Sequence, residues 1–228
     1  ISKVEGISRV GAPELINGSV LFEATHAFPA RSPKSQELIS KIRELKHPSG
    51  MLVGGFAADY VDTQDGIQSS LPIVGFWIGI MVFLLIFLFT GSLLLPLKAI
   101  LLNLLSLTAT VGLLTLIFIS GKLTFLVGDF TNTGTLDTNN LVLVLVVAFA
   151  LSMDYELFLL SRIREEYVNG KSNTEAVAIG LQRSARLITA AAFVLAVNFA
   201  AFLVSGVSGI KMIGIGIAFA IMLDATLI

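Results

Sequence analysis

Residues 139–161 read NNLVLVLVVAFALSMDYELFLLS, 23 residues whose only charges are the carboxylates of Asp154 and Glu156. Crossing about 30 Å of hydrocarbon at about 1.5 Å per residue takes about 20 apolar residues. The run is therefore long enough to span a bilayer. Four more segments meet or approach the same length: 71–90, 97–119, 187–207 and 212–228, the last cut short by the chain end. Gly91 and Pro96 separate the first of these from the second and predict a tight turn. The composition agrees, with 55% hydrophobic residues, 14% charged and a mean hydropathy of +0.88, against about 25% charged in a soluble domain. The expectation is an α-helical polytopic membrane protein whose membrane part covers residues 66–228.

Residues 1–65 carry most of the charge and read differently. Asn17-Gly18 is a turn signal, and Val20, Phe22 and Ala24 alternate with more polar neighbours, predicting a strand over 19–28. Ser32-Pro33 supplies a cap and a first-turn proline for a helix through Leu38, Ile42 and Leu45, stopped by His47-Pro48-Ser49-Gly50. Met51 to Ala57 is a second strand candidate. A small α+β unit outside the bilayer follows, joined to the first span by residues 59–71. The chain opens on Ile1 and stops at Ile228 within an apolar run, which reads as a piece of a longer protein.

Basic residues in the short connections set the orientation. Lys98, Arg162, Arg164, Lys171, Arg183 and Arg186 fall on one side, Lys122 and Lys211 on the other. The first side is expected in the cytoplasm, with 162–186 a cytoplasmic connection and residues 1–65 extracytoplasmic.

Several function classes are disfavoured. A net charge of −1 gives no basic field for nucleic acid. Without cysteine there is no disulfide, thiol nucleophile or Cys-bound metal. His26 and His47 have no partner at metal-ligand spacing. Gly170-Lys171-Ser172 fails as a phosphate loop because Glu165 stands where glycine is required. With no nucleophile, metal cluster or cofactor loop, no enzyme and no cofactor is expected; an ion gradient is the simpler source of work.

Asp154 is the first candidate for chemistry. A carboxylate at a helix centre costs about 2.5–3.5 kcal/mol on insertion scales, so such groups face bundle interiors and mark ion pathways. It lies about 21 Å along the helix from Asn140 and about 12 Å before Arg162, past the midplane toward the predicted cytoplasmic side. Pairing or snorkelling is the plain structural alternative. Glu156, about 200° further round the helix, occupies nearly the opposite face. Asp154 shares its own face with Ala150 and Ser161. Asp224 is in register with Gly216 and Ala220, a small-residue face suited to close helix contact. Asn103 and Asn198 are expected as interhelical hydrogen-bond partners.

The run from Ala148 through Ser152-Met153-Asp154-Tyr155-Glu156 to Glu166 resembles the mycobacterial membrane protein large (MMPL) family of the resistance-nodulation-division (RND) superfamily. So do the run from Ser92 to Ser106, Leu223-Asp224-Ala225-Thr226 and Val53-Gly54-Gly55. Ala150, often glycine in the family, and Gly91, often basic, depart from its pattern. The resemblance implies two pseudo-repeated halves, each with six helices and an external porter domain. This chain would be most of the second half, its spans helices eight to twelve. It further implies export of lipids or other hydrophobic molecules on the proton gradient, with Asp154 and Tyr155 as the proton-relay pair. The expected partners are membrane lipids, the hydrophobic substrate and the N-terminal half of the transporter; oligomeric state is left open. A lipid-sensing or protein-export accessory role, or a non-transporting fragment, is the alternative.

Overall fold

The computed structural model describes residues 4–46, 50–130 and 135–227. They form two compact units, residues 1–74 and 75–228, described separately.

In the first unit, β1 (Ile7–Val10) pairs antiparallel with β4 (Ala24–His26), and β2 (Glu14–Ile16) with β3 (Ser19–Leu21). Asn17 and Gly18, with φ of 49° and 79°, make the β2–β3 turn, the left-handed pair that a two-residue hairpin demands. The strand expected over 19–28 is thus two strands. Its first part pairs back across the turn with β2, and the second changes partner at Phe22-Glu23 to lie against β1.

Helix α1 (Pro33–Glu44) begins as read: Ser32 Oγ accepts from the Ser35 amide, and Pro33 is the first helical residue. The stop signal at His47-Pro48-Ser49 lies outside the described residues. The second strand over 51–57 does not form, because Met51–Gly54 runs irregularly with no neighbouring strand. Gly55, at φ 100°, opens a helix instead. That helix, α2 (Phe56–Thr90), has 35 residues, so the proposed link over 59–71 is itself helical. Pro72 costs it one backbone hydrogen bond without ending it. Ile39 of α1 packs with Ala57, Ala58 and Val61 from the start of α2. Arg43 grips both oxygens of Asp62, at 2.5 and 2.8 Å, and donates to the Val53 carbonyl.

The second unit continues α2 into α3 (Leu94–Phe118), α4 (Thr138–Val168), α5 (Asn173–Ala200) and α6 (Ser208–Leu227). Five helices of the described residues, α5 extended by a short 3-10 turn, are long and apolar enough to cross a membrane. Gly91, at φ 70°, caps α2 and returns its amide to the Phe87 carbonyl, giving the tight turn expected there. The connection expected over 162–186 shrinks to residues 169–172. Ser172 and Glu175 form a reciprocal capping box that starts α5 well before the apolar run at 187.

Helix α6 is the most buried span and packs against α3, α4 and α5. Its small residues permit this: Gly214 lies against the Phe199 carbonyl, and Gly216 against Val144 and Leu114. Leu114, Ile117, Val144, Ala192, Ala196, Ile217 and Ile221 close the core.

At the other end of α6, Lys211 is buried. It donates to the backbone carbonyls of Val127 and Asp129, at 2.6 and 3.0 Å, clamping the connection after α3 onto α6. Charge-assisted hydrogen bonds of this kind are worth about 1.5–3 kcal/mol each. Lys211→Met is therefore expected to accelerate amide hydrogen exchange over residues 123–130 at least about tenfold, with Lys211→Arg intermediate, as followed by mass spectrometry.

Candidate functional site: a polar seam between α3, α4 and α6

The buried face of α3 carries Asn103, Ser106 and Thr110 at helical spacing before it turns apolar at Leu114 and Ile117. On α4 the facing row is Val144, Ala148, Ser152 and, one turn on, the half-buried Tyr155. Helix α6 contributes Asp224, one turn beyond Ala220 and Ile221. A polar seam results inside an otherwise apolar bundle.

Asn103 Nδ2 donates to Ser152 Oγ at 3.0 Å, tying α3 to α4, the interhelical role expected of it. Asp224 is 7% exposed, and its carboxyl lies within hydrogen-bonding reach of the Ser106 and Ser152 hydroxyls. Asn103 Oδ1 and the Tyr155 hydroxyl are buried with no hydrogen-bond partner among the described residues. Tyr155 has the charges of both Asp154 and Asp224 in its surroundings. It is thus near both carboxylates and hydrogen-bonded to neither among the described residues.

Asp154 itself is exposed on α4, as is Ala150. Among the described residues Asp154 does not face a bundle interior as expected, since the rotation of α4 turns Ser152 and Tyr155 inward instead. Glu156 is half-buried on another face, with Lys98 and Asp224 in its surroundings. Ser161 is half-buried and donates to the Phe158 carbonyl at 2.7 Å, a bond within its own helix. Asn198 is exposed on α5 and takes no interhelical hydrogen bond among the described residues, contrary to expectation. His26 Nε2 is 3.5 Å from Ser35 Oγ in the first unit, while His47 lies outside the described residues. Ser106, Thr110 and Ser152 were not singled out from sequence. The available signal is that Ser106 lies three residues from Asn103, Ser152 three from Tyr155, and Thr110 four from Ser106.

Long apolar helices packed round such a seam define a multi-pass membrane protein. The chain belongs to the MMPL family, whose model matches residues 23–228. It is 39% identical over 199 residues to the putative membrane protein SCO6666 of Streptomyces coelicolor, covering 87% of this chain and 28% of that one. It is 36% identical over 192 residues to the trehalose monomycolate exporter MmpL3 of Mycobacterium tuberculosis, covering 83% and 20%. MmpL11 of Mycolicibacterium smegmatis, named as an exporter of mycolic acid-containing lipids, is 34% identical over 217 residues, covering 93% and 22%. Its Mycobacterium tuberculosis namesake is called a heme uptake protein. The chain thus spans 20–28% of the length of these curated relatives.

Proposed function

We propose that the full-length protein exports lipids or other hydrophobic molecules across the bacterial plasma membrane on the proton gradient. In this reading Asp154 carries the proton and Tyr155 relays or positions it. The observation that supports it is the place of Tyr155, half-buried and neighboured by the exposed Asp154 on its own helix and the buried Asp224 on α6. A carboxylate that alternates between dry and polar surroundings takes up and releases a proton. Helix movement that changes those surroundings would couple proton passage to transport.

The remaining assignments follow from that reading. The basic residues Lys98, Arg162, Arg164, Lys171, Arg183 and Arg186 support a cytoplasmic location for their side of the bundle by the positive-inside rule. Residues 1–65 then belong to an extracytoplasmic porter domain, which meets the cargo together with the rest of the transporter. Energy comes from the gradient, without a resident cofactor. Lipid export is favoured as the cargo class by the names of MmpL3 and the Mycolicibacterium smegmatis MmpL11.

The test is proton-driven lipid transport by the full-length protein in vesicles. Collapse of the proton gradient is expected to stop it. Tyr155→Phe, which removes one hydroxyl, is expected to slow transport several-fold while leaving expression and thermal stability unchanged. A wild-type rate in that variant removes Tyr155 from the relay, and transport that persists without a gradient removes the proton.

A further inference from the structure

Residues 123–130, in the connection after α3, form a strap fastened to the start of α6 by Lys211. Asp224 stands on the same helix about 20 Å further along, at about 1.5 Å per residue. The strap is held from beneath. Val127 is 2% exposed and belongs to the same apolar core as Phe118 and Met212, and Phe130 lies against Phe118 with ring centroids 4.9 Å apart. The carbonyls of Val127 and Asp129 meet on one ammonium, with Gly128 between them left-handed at φ 67°. A glycine is therefore built into the fastening itself.

Other features of the same segment oppose closure. Lys211 is 6% exposed, and its partners among the described residues are neutral carbonyls and no carboxylate. A buried charge held in this way gives up hydration that a counter-ion would partly return. Leu123, which carries a side chain, sits at φ 58°, a left-handed conformation whose cost is relieved if the segment swings away. Gly121, at φ 64°, gives the root of the strap a second left-handed position. A fixed scaffold needs neither a charge in its fastening nor a leucine in this conformation, whereas an element with two states needs gains and costs set against each other. We infer that residues 123–130 are a latch that Lys211 holds shut and that opens as a unit about the Gly121–Leu123 turn while α3 and α6 stay helical. Opening uncovers Phe118, Met212 and the ammonium, and admits water to this end of the buried face of α6. The use of the latch in transport rests on the proton-driven reading above: Lys211 and Asp224 share one helix, so a shift of α6 at the seam also moves the fastening.

The experiment uses the full-length protein carrying Phe118→Cys and Phe130→Cys, with any cysteine outside this cysteine-free chain replaced. A cleavable bismaleimide joining the pair is expected to cut proton-driven transport in vesicles at least about tenfold, as the loss of a gating step would. Cleavage of the linker should restore the rate, and each single-cysteine variant should be indifferent to the reagent. A cross-linked protein that transports at its unlinked rate overturns the latch. Hydrogen exchange of the wild type in detergent decides the matter without transport. The amides of Leu126, Val127 and Gly128, bonded within the closed strap, are expected to exchange together and at least about tenfold faster than the buried amides of α6. Exchange of the three only at the rate of α6 overturns the latch equally, because the strap then opens only when the bundle unfolds. Transport by the wild type that ignores the proton gradient would sink the relay and leave the latch to the exchange measurement. Should the double variant fail to fold, wild-type exchange carries the decision alone.

Discussion

Asp154→Asn in the full-length protein is expected to bring proton-driven transport to background, at least about a hundredfold below wild type, with expression and unfolding temperature unchanged. The substitution keeps the shape of the side chain and removes only its capacity to titrate. Asp154 is exposed on α4, flanked along the helix by residues such as Leu143 and Val146, which are 46% and 57% exposed. In hydrocarbon that placement costs about 2.5–3.5 kcal/mol. An exposed carboxylate on an apolar helix, with no packing role among the described residues, has its explanation in what it does, so the effect is expected in rate and not in folding. Asp154→Glu, which keeps the acid but extends it by one methylene, should retain partial transport. A wild-type rate in Asp154→Asn would end the proton assignment, because no other exposed carboxylate lies within the apolar part of α4.

The contrast between Asp154 and Asp224 shows what the sequence made visible and what it hid. Helix existence was legible, because runs of about 20 apolar residues have few alternatives. Facing was not, for α4 is apolar nearly all round, and its pattern gives no phase. Which of two adjacent residues turns inward is decided by neighbours far away in sequence, here Asn103 on α3 and Asp224 on α6. The small-residue register of Gly216, Ala220 and Asp224 did hold directional information, and that face is the buried one.

Boundaries were the weaker part of the reading for a related reason. Hydropathy marks the apolar stretch, not the helix, so α2 and α5 run on as polar helix well beyond the expected spans. The signal that would have extended α5 was present in Ser172 and Glu175, a capping box three residues apart. For α2, Pro72 looks like a breaker and hides the helical spacing of Ala57, Ala58 and Val61 before it. The absent strand at 51–57 is a failure of another kind. An extended segment becomes a strand only where a second strand lies alongside it, and residues 51–54 pair with neither ribbon of this unit.

Packing between α4 and α5 carries the largest expected effect on stability. A Cβ added at Gly180 would stand 2.9 Å from both the backbone nitrogen and the Cα of Ile163. Backbone atoms cannot rotate away as a side chain can, so the two helices would have to separate. The hairpin is tied at the same level by the buried Glu166, which pairs with Arg183 of α5. Separation would break that pair as well as the contact. Gly180→Ala is expected to destabilise by about 1–3 kcal/mol, the usual cost of overpacking, and Gly180→Leu to abolish folded, monodisperse protein altogether. Gly112→Ala on α3 is the matched comparison, since a Cβ there meets nothing within 4 Å. It should be neutral or stabilising by up to about 1 kcal/mol, because alanine is the better helix former. Fluorescence-detected size exclusion of the full-length protein after a heating series distinguishes the outcomes. Equal unfolding temperatures for Gly180→Ala and Gly112→Ala would mean that α4 and α5 have slack that their backbone approach does not show.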